Sequence, residues 1–159
     1  MDTVVRVTSD CPLLDPALVD RVISVYRESG ADYASNMIEP TCPYGMAVEV
    51  FSNDVLQQAQ GESTDAAERE HVTPFIYWRP ERYILKSVTL SRDLSDHRWT
   101  VDTPEDYELI KLIYTEVYPK KSEFDMEDVL AVMDSHPDWK LINQHVEQKQ
   151  ANHTPKENL

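Results

Sequence analysis

Two stretches of this 159-residue chain follow one plan, and that plan narrows the fold more than any other feature. In each, a β-prone run ends at an aspartate and a proline-started helix follows within a few residues. The first is Val4-Val5-Arg6-Val7-Thr8, which stops at Ser9-Asp10-Cys11-Pro12. Asp15-Pro16 then opens a helical pattern of Leu18, Val19, Val22, Ile23 and Tyr26 that ends at Ser29-Gly30. The second is Arg98-Trp99-Thr100-Val101, which stops at Asp102. There Thr103-Pro104-Glu105-Asp106 supplies a hydroxyl cap, a first-turn proline and first-turn acids, ahead of an apolar face of Tyr107, Ile110, Ile113, Tyr114 and Val117. Strand followed by helix is the order of an α/β domain, and ligands of such domains sit outside the carboxyl ends of the strands. Asp10 and Asp102 are therefore candidates to face one crevice.

Between them, Asp32 to Ser35 predicts a short strand, Glu39 to Tyr44 a proline-containing loop, and Met46 to Phe51 a half-buried strand whose Glu49 faces away from Val48 and Val50. Ser52-Asn53-Asp54 caps a helix through Ala59, with Gly61 to Asp65 separating it from helical residues that begin near Ala66. Pro74 predicts a kink or boundary, and Tyr83 to Leu90 an extended segment. Two small helices are expected near 126–134 and 137–146, and the polar, patternless end predicts a flexible tail at 149–159.

Charge excludes several function classes. Against 29 acidic residues stand 15 basic ones, a net charge of −14, which disfavours unaided binding to nucleic acid or an anionic membrane. A phosphate-bearing ligand needs a cation beside it. The three glycines, Gly30, Gly45 and Gly61, are far apart, so neither a Walker A loop nor a GxGxxG turn occurs. Cys11 and Cys42 form neither a disulfide framework nor a CxxC pair, which fits a reducing compartment. No apolar run approaches the roughly 20 residues of a membrane span, and Met1-Asp2-Thr3 is unlike a signal peptide, so a cytoplasmic protein is expected. His97, His136, His145 and His153 show no zinc spacing, and no GxSxG elbow appears.

Paired carboxylates at strand ends suit magnesium, which takes one or two carboxylates and completes its octahedron with water and substrate phosphate oxygens. A turn or cap role also accounts for aspartates after strands. Asp15 is explained that way, whereas Asp102 is not, because Thr103 already fills the cap position. In Glu68-Arg69-Glu70-His71, Arg69 suits a phosphate or carboxylate and His71 a hydroxyl, although a solvated helix face has the same composition.

The runs Arg6 to Pro16 and Arg98 to Asp106 resemble the two metal-site segments of the cytidylyltransferases that activate acidic sugars, the CMP-sialic acid and CMP-Kdo synthetases. Glu68-Arg69-Glu70-His71-Val72-Thr73-Pro74 is similar to the branch typified by a spore coat polysaccharide biosynthesis protein. Ser9 departs from a usual glycine, which touches only local backbone geometry. The resemblance implies a Rossmann-like (GT-A-like) three-layer α/β sandwich, with 1–148 as its C-terminal portion and incomplete at the N-terminus, since no A-R-x-x-S-x-R-L-P-x-K pattern occurs here. It further implies attack of a sugar hydroxyl on CTP, with Asp10 and Asp102 on magnesium, and Arg69, His71 and Glu49 on the substrate side. A homodimer is also implied. Two other readings stay open: a non-catalytic dimerisation or assembly module, and a metal-dependent glycosyltransferase.

Overall fold

The computed structural model describes residues 2–148, so the tail expected at 149–159 lies outside the described residues. The chain opens with strand β1 (Thr3–Arg6) and helix α1 (Pro16–Ser29). Asp15 caps α1 by accepting the Ala17 N–H at 2.7 Å, Pro16 sits in its first turn, and Gly30 ends it at φ 65°. Next come β2 (Tyr33–Ser35), β3 (Glu49–Ser52), α2 (Asn53–Glu62), α3 (Ala66–His71), α4 (Pro74–Tyr77) and β4 (Leu85–Ser87). The C-terminal part is helical: α5 (Pro104–Val117), α6 (Met126–Ser135) and a 3-10 turn at Pro137–Leu141. Both α5 and α6 start with a reciprocal capping box, Thr103 with Asp106 and Asp125 with Asp128.

The strand order is β1-β3-β2-β4, with β3 antiparallel to both neighbours and β2 parallel to β4. Alternation along the strands sends side chains to two faces. Ala34, Val48 and Val50 pack with Leu18, Val22, Leu109, Ile113 and Val129, so α1, α5 and α6 cover one face. Tyr33 and Phe51 stack at 6.1 Å on the other and meet Val55, Ala59, Phe75 and Ile76 of α2 and α4. Helices, sheet and helices make the three-layer α/β arrangement. Among the described residues no helix is long and apolar enough to cross a membrane.

Four local expectations are corrected. β3 is buried along its whole length, not half-buried, because helices lie over both of its faces. Residues 98–101 are not a strand: only Arg98 forms a bridge, to Tyr44, since the segment is held by single bonds to two different loops. Gly61 lies inside α2 rather than after it, as an exposed helical glycine costs only about 1 kcal/mol against alanine. The last helix is a five-residue 3-10 turn, much shorter than 137–146.

Candidate functional site

In an antiparallel pair, residues directly opposite share a face, and here Arg6 is opposite Glu49. Beyond the strand ends the same two-residue step brings up Thr8 and Asp10 on one side and Ala47 and Gly45 on the other. All six line a single cleft of about 710 Å³. Small side chains at Gly45 and Ala47 leave this floor open. His71, Thr73, Tyr33, Tyr77, Tyr44, Thr100 and Asp102 complete much of the lining.

At one end of the cleft the two aspartates meet. The Val101 N–H donates to the Asp10 carbonyl at 2.9 Å, and the Thr100 hydroxyl donates to that carbonyl at 3.1 Å and to Asp10 Oδ2 at 3.3 Å. Burial, followed by the charge of Asp10, raises the Asp102 carboxyl above its ordinary value. Burial also acts to raise Asp10, but hydrogen bonds from Thr8, its own backbone, Thr100 and Asp102 outweigh it and the net shift is downward. Such a split belongs to two like-charged groups close enough to compete for a proton, a conflict that a cation between them relieves. Beside the pair, burial and then the Asp102 charge push the Tyr44 phenol up to about 12, so it remains a neutral hydroxyl. Among the described residues no group of three or more His, Cys, Asp or Glu side chains converges on one point. Two carboxylates with hydroxyl neighbours form an all-oxygen donor set, which fits magnesium better than zinc. Burial raises the Cys11 thiol, and Thr8 contacts it at 3.1 Å, which leaves it a poor nucleophile.

Asp106, noted in the sequence only as a first-turn acid, positions this end. Fully buried, it accepts Arg98 Nε and Nη2 at 2.8 Å each, Asn143 Nδ2 at 2.8 Å, and the N–H groups of Asp102 and Thr103 at 3.2 and 3.1 Å. Arg98 also reaches Asp102 Oδ2 at 3.3 Å and lies over the Tyr44 ring. The Arg98 and Asp106 spacing was visible in the sequence, but nothing local to it signals a buried bidentate pair.

At the other end Glu49, 6% exposed, accepts the Tyr33 hydroxyl at 2.6 Å and the Thr73 hydroxyl at 2.5 Å on Oε1, and pairs with Arg6 through Oε2. His71 and Thr73 flank Val72, which has φ 71° and ψ −55° and is bridged by the Thr73 N–H to the His71 carbonyl at 2.9 Å. This is the rare, strained γ-turn, costly for a β-branched residue, and it carries both neighbours into the cleft lining. Asp10, Asp102, Glu49 and His71 thus come together. Arg69 does not join them. It donates to the Ser63 carbonyl at 3.4 Å and lines a separate depression of about 270 Å³ beside α2. Glu68 is buried and bound by Arg79 at 2.6 Å and Ser63 at 3.1 Å, a structural role.

Fold and cleft define a class: a three-layer α/β domain whose sheet opens onto a polar cleft with paired carboxylates. The chain belongs to the cytidylyltransferase family, whose model matches residues 1–135. It is 32% identical over 156 residues to an uncharacterized protein of Methanocaldococcus jannaschii, covering 93% of this chain and 60% of that one. It is 27% identical over 138 residues to the spore coat polysaccharide biosynthesis protein SpsF of Bacillus subtilis, covering 85% of this chain and 56% of that protein. Among solved structures, a cytidylyltransferase from Leptospira borgpetersenii serovar Hardjo-bovis matches with a TM-score of 0.80 and 29% identity, over 94% of this chain and 62% of the other. The chain therefore spans about three fifths of the length of these relatives.

Proposed function

We propose that the cleft serves cytidylyl transfer from CTP to a sugar hydroxyl on the way to a surface polysaccharide, an acidic sugar being the acceptor that the resemblance implies. The sugar oxygen forms a bond to the α-phosphorus and loses its hydroxyl proton to solvent water, the bond to the bridging oxygen breaks, and that electron pair leaves with pyrophosphate. The observation that carries this reading is the convergence of Asp10 and Asp102, from segments about 90 residues apart, at one end of the cleft. These two carboxylates would hold magnesium, which supplies neutralisation of charge on the phosphates when bound. Asp106 and Arg98 fix the Asp102 segment, and Thr100 fixes Asp10, so both carboxylates are held in place before a ligand arrives. Glu49 and His71 lie where the acceptor would sit. The setting proposed is the cytoplasm, which suits the free thiols Cys11 and Cys42.

Isothermal titration of the chain with Mg²⁺ and CTP tests the reading. The isosteric Asp10→Asn and Asp102→Asn chains are expected to bind about tenfold or more weakly than the unaltered chain. Indistinguishable binding by all three removes the metal assignment and, with it, the proposed reaction.

One observation favours association of two copies as well. Among the described residues β1 pairs only with β3, and Val5 and Val7 beside its open edge are 39% and 46% exposed. Sedimentation equilibrium is expected to return a dimer whose dissociation rises when Val5 and Val7 are both changed to lysine. A monomer at all concentrations rules the homodimer out.

A further inference from the structure

We propose that Arg6 is the residue that recognises a carboxylate on the acceptor, and that Glu49 is a positioning residue that holds the Arg6 guanidinium; this rests on the cytidylyl-transfer reading. Among the described residues lining the cleft, Arg6 is the only lysine or arginine. The sequence had pointed to Arg69 for such a role, and that side chain lines another depression.

Glu49 explains why Arg6 is available. Its Oε1 already receives two hydroxyls, Tyr33 from β2 and Thr73 from the turn before α4, and its Oε2 receives Arg6 Nη1. Tyr33 is 1% exposed and stacked on Phe51, so it cannot swing away. Three donors, two of them from buried side chains, therefore hold the carboxylate, which acts as an anchor for Arg6. A guanidinium carries five N–H groups, and Glu49 engages one of its nitrogens. The side chain is 30% exposed and lines the cleft, so its remaining donors face the space a ligand would fill.

Charge decides which anion fits. The Arg6 and Glu49 pair has no net charge, and the cleft adds Asp10 and Asp102. A multiply charged phosphate chain would go unneutralised at Arg6 and belongs at the aspartate end, with its cation. A planar monoanion needs only two parallel donors, which the open edge of a guanidinium supplies. Arg6 and Asp10 are four residues apart, at most about 14 Å along the backbone, so one bound pair of substrates can span both ends.

The test is NMR of the isotope-labelled chain, followed at the Arg6 Nε–H, with N-acetylneuraminate, its neutral methyl ester and CMP as probes. The acid is expected to shift that signal and the ester to leave it in place. Arg6→Gln is expected to weaken binding of the acid about tenfold or more, and Arg6→Lys, which keeps the charge without the fork, to weaken it as well. Glu49→Gln is expected to lower affinity for the acid several-fold while affinity for the ester stays the same, a selectivity that a purely structural role would not alter. Equal binding of acid and ester, unchanged binding by Arg6→Gln, or a shift produced by CMP alone overturns the assignment. The two failures separate cleanly. Indifference of Mg²⁺ and CTP binding to the aspartate variants counts against cytidylyl transfer, whereas indifference of the acid preference to Arg6→Gln counts against Arg6 alone.

Discussion

Asp106→Ala is expected to cost about 3–5 kcal/mol of folding stability in urea denaturation, the range for removing one partner of a buried charge pair. Asp106 is fully buried and the Arg98 side chain is 11% exposed, so truncation removes two 2.8 Å bonds from a guanidinium that water scarcely reaches, leaving it Asp102 Oδ2 at 3.3 Å and Gln148 Oε1 at 2.7 Å. It also takes one of two acceptors from Nδ2 of Asn143, 2% exposed, which keeps the Arg98 carbonyl, and removes the carboxylate that the N–H groups of Asp102 and Thr103 donate to. With a whole domain worth only about 5–15 kcal/mol, such a loss brings the chain close to unfolding. Acid provides a second readout. Burial acts to raise the Asp106 carboxyl, but the bonds from Arg98, Asn143 and the Asp102 backbone outweigh it and the value lies below its ordinary 3.8. A depressed folded-state value means that the unfolded chain takes up the proton first. The contribution is therefore complete above about pH 4 and lost as pH falls through the lowered value, so the gap between the two proteins narrows only in strong acid. A loss under about 1 kcal/mol at neutral pH contradicts the role given to Asp106.

Gly45→Ala is expected to be as damaging, at about 4 kcal/mol or more, for a steric reason. A Cβ at this position would lie 2.4 Å from the Thr100 nitrogen, 2.5 Å from the Trp99 carbonyl carbon and 2.7 Å from the Trp99 oxygen. These are backbone atoms, and Trp99 is completely buried, so the segment cannot step aside. The residue also sits at φ 99°, outside the range that alanine favours. Retreat of Thr100 would pull its hydroxyl from Asp10, so stability and metal affinity are expected to fall together. Gly61 offers the contrast, with nothing within 4 Å of an added Cβ. If Gly45→Ala is tolerated as readily as alanine at Gly61, the close approach of these loops is not what builds the aspartate end.

The helices were legible because their signals are local. Asp15-Pro16, Thr103-Pro104 and the apolar spacing behind each put the starts of α1 and α5 where the structure has them. Asp10 and Asp102 could be singled out for the same reason, since each follows a β-prone run at a turn. The remainder depends on distance in space. That 98–101 is an extended tether between Tyr44 and Asp10 and not a strand follows from partners far along the chain. Arg69 and His71 both lie on α3, two residues and so about 200° apart around its axis, which sends Arg69 to the depression beside α2 and His71 to the cleft, a divergence that treating the run as one cluster passes over. Arg6 escaped notice for the converse reason. Within a β-branched run it reads as an ordinary strand residue, and only its register opposite Glu49 makes it part of the cleft.

The most direct test of the account is paramagnetic broadening of backbone amide signals by substoichiometric Mn²⁺. If Asp10 and Asp102 hold the cation, the amides of Thr8, Cys11, Gly45, Val101 and Thr103 broaden first, and Asp10→Asn or Asp102→Asn abolishes the effect. Broadening that starts instead around Asp125 and Asp128 of the α6 cap, or that spreads evenly over this acidic chain, would contradict it.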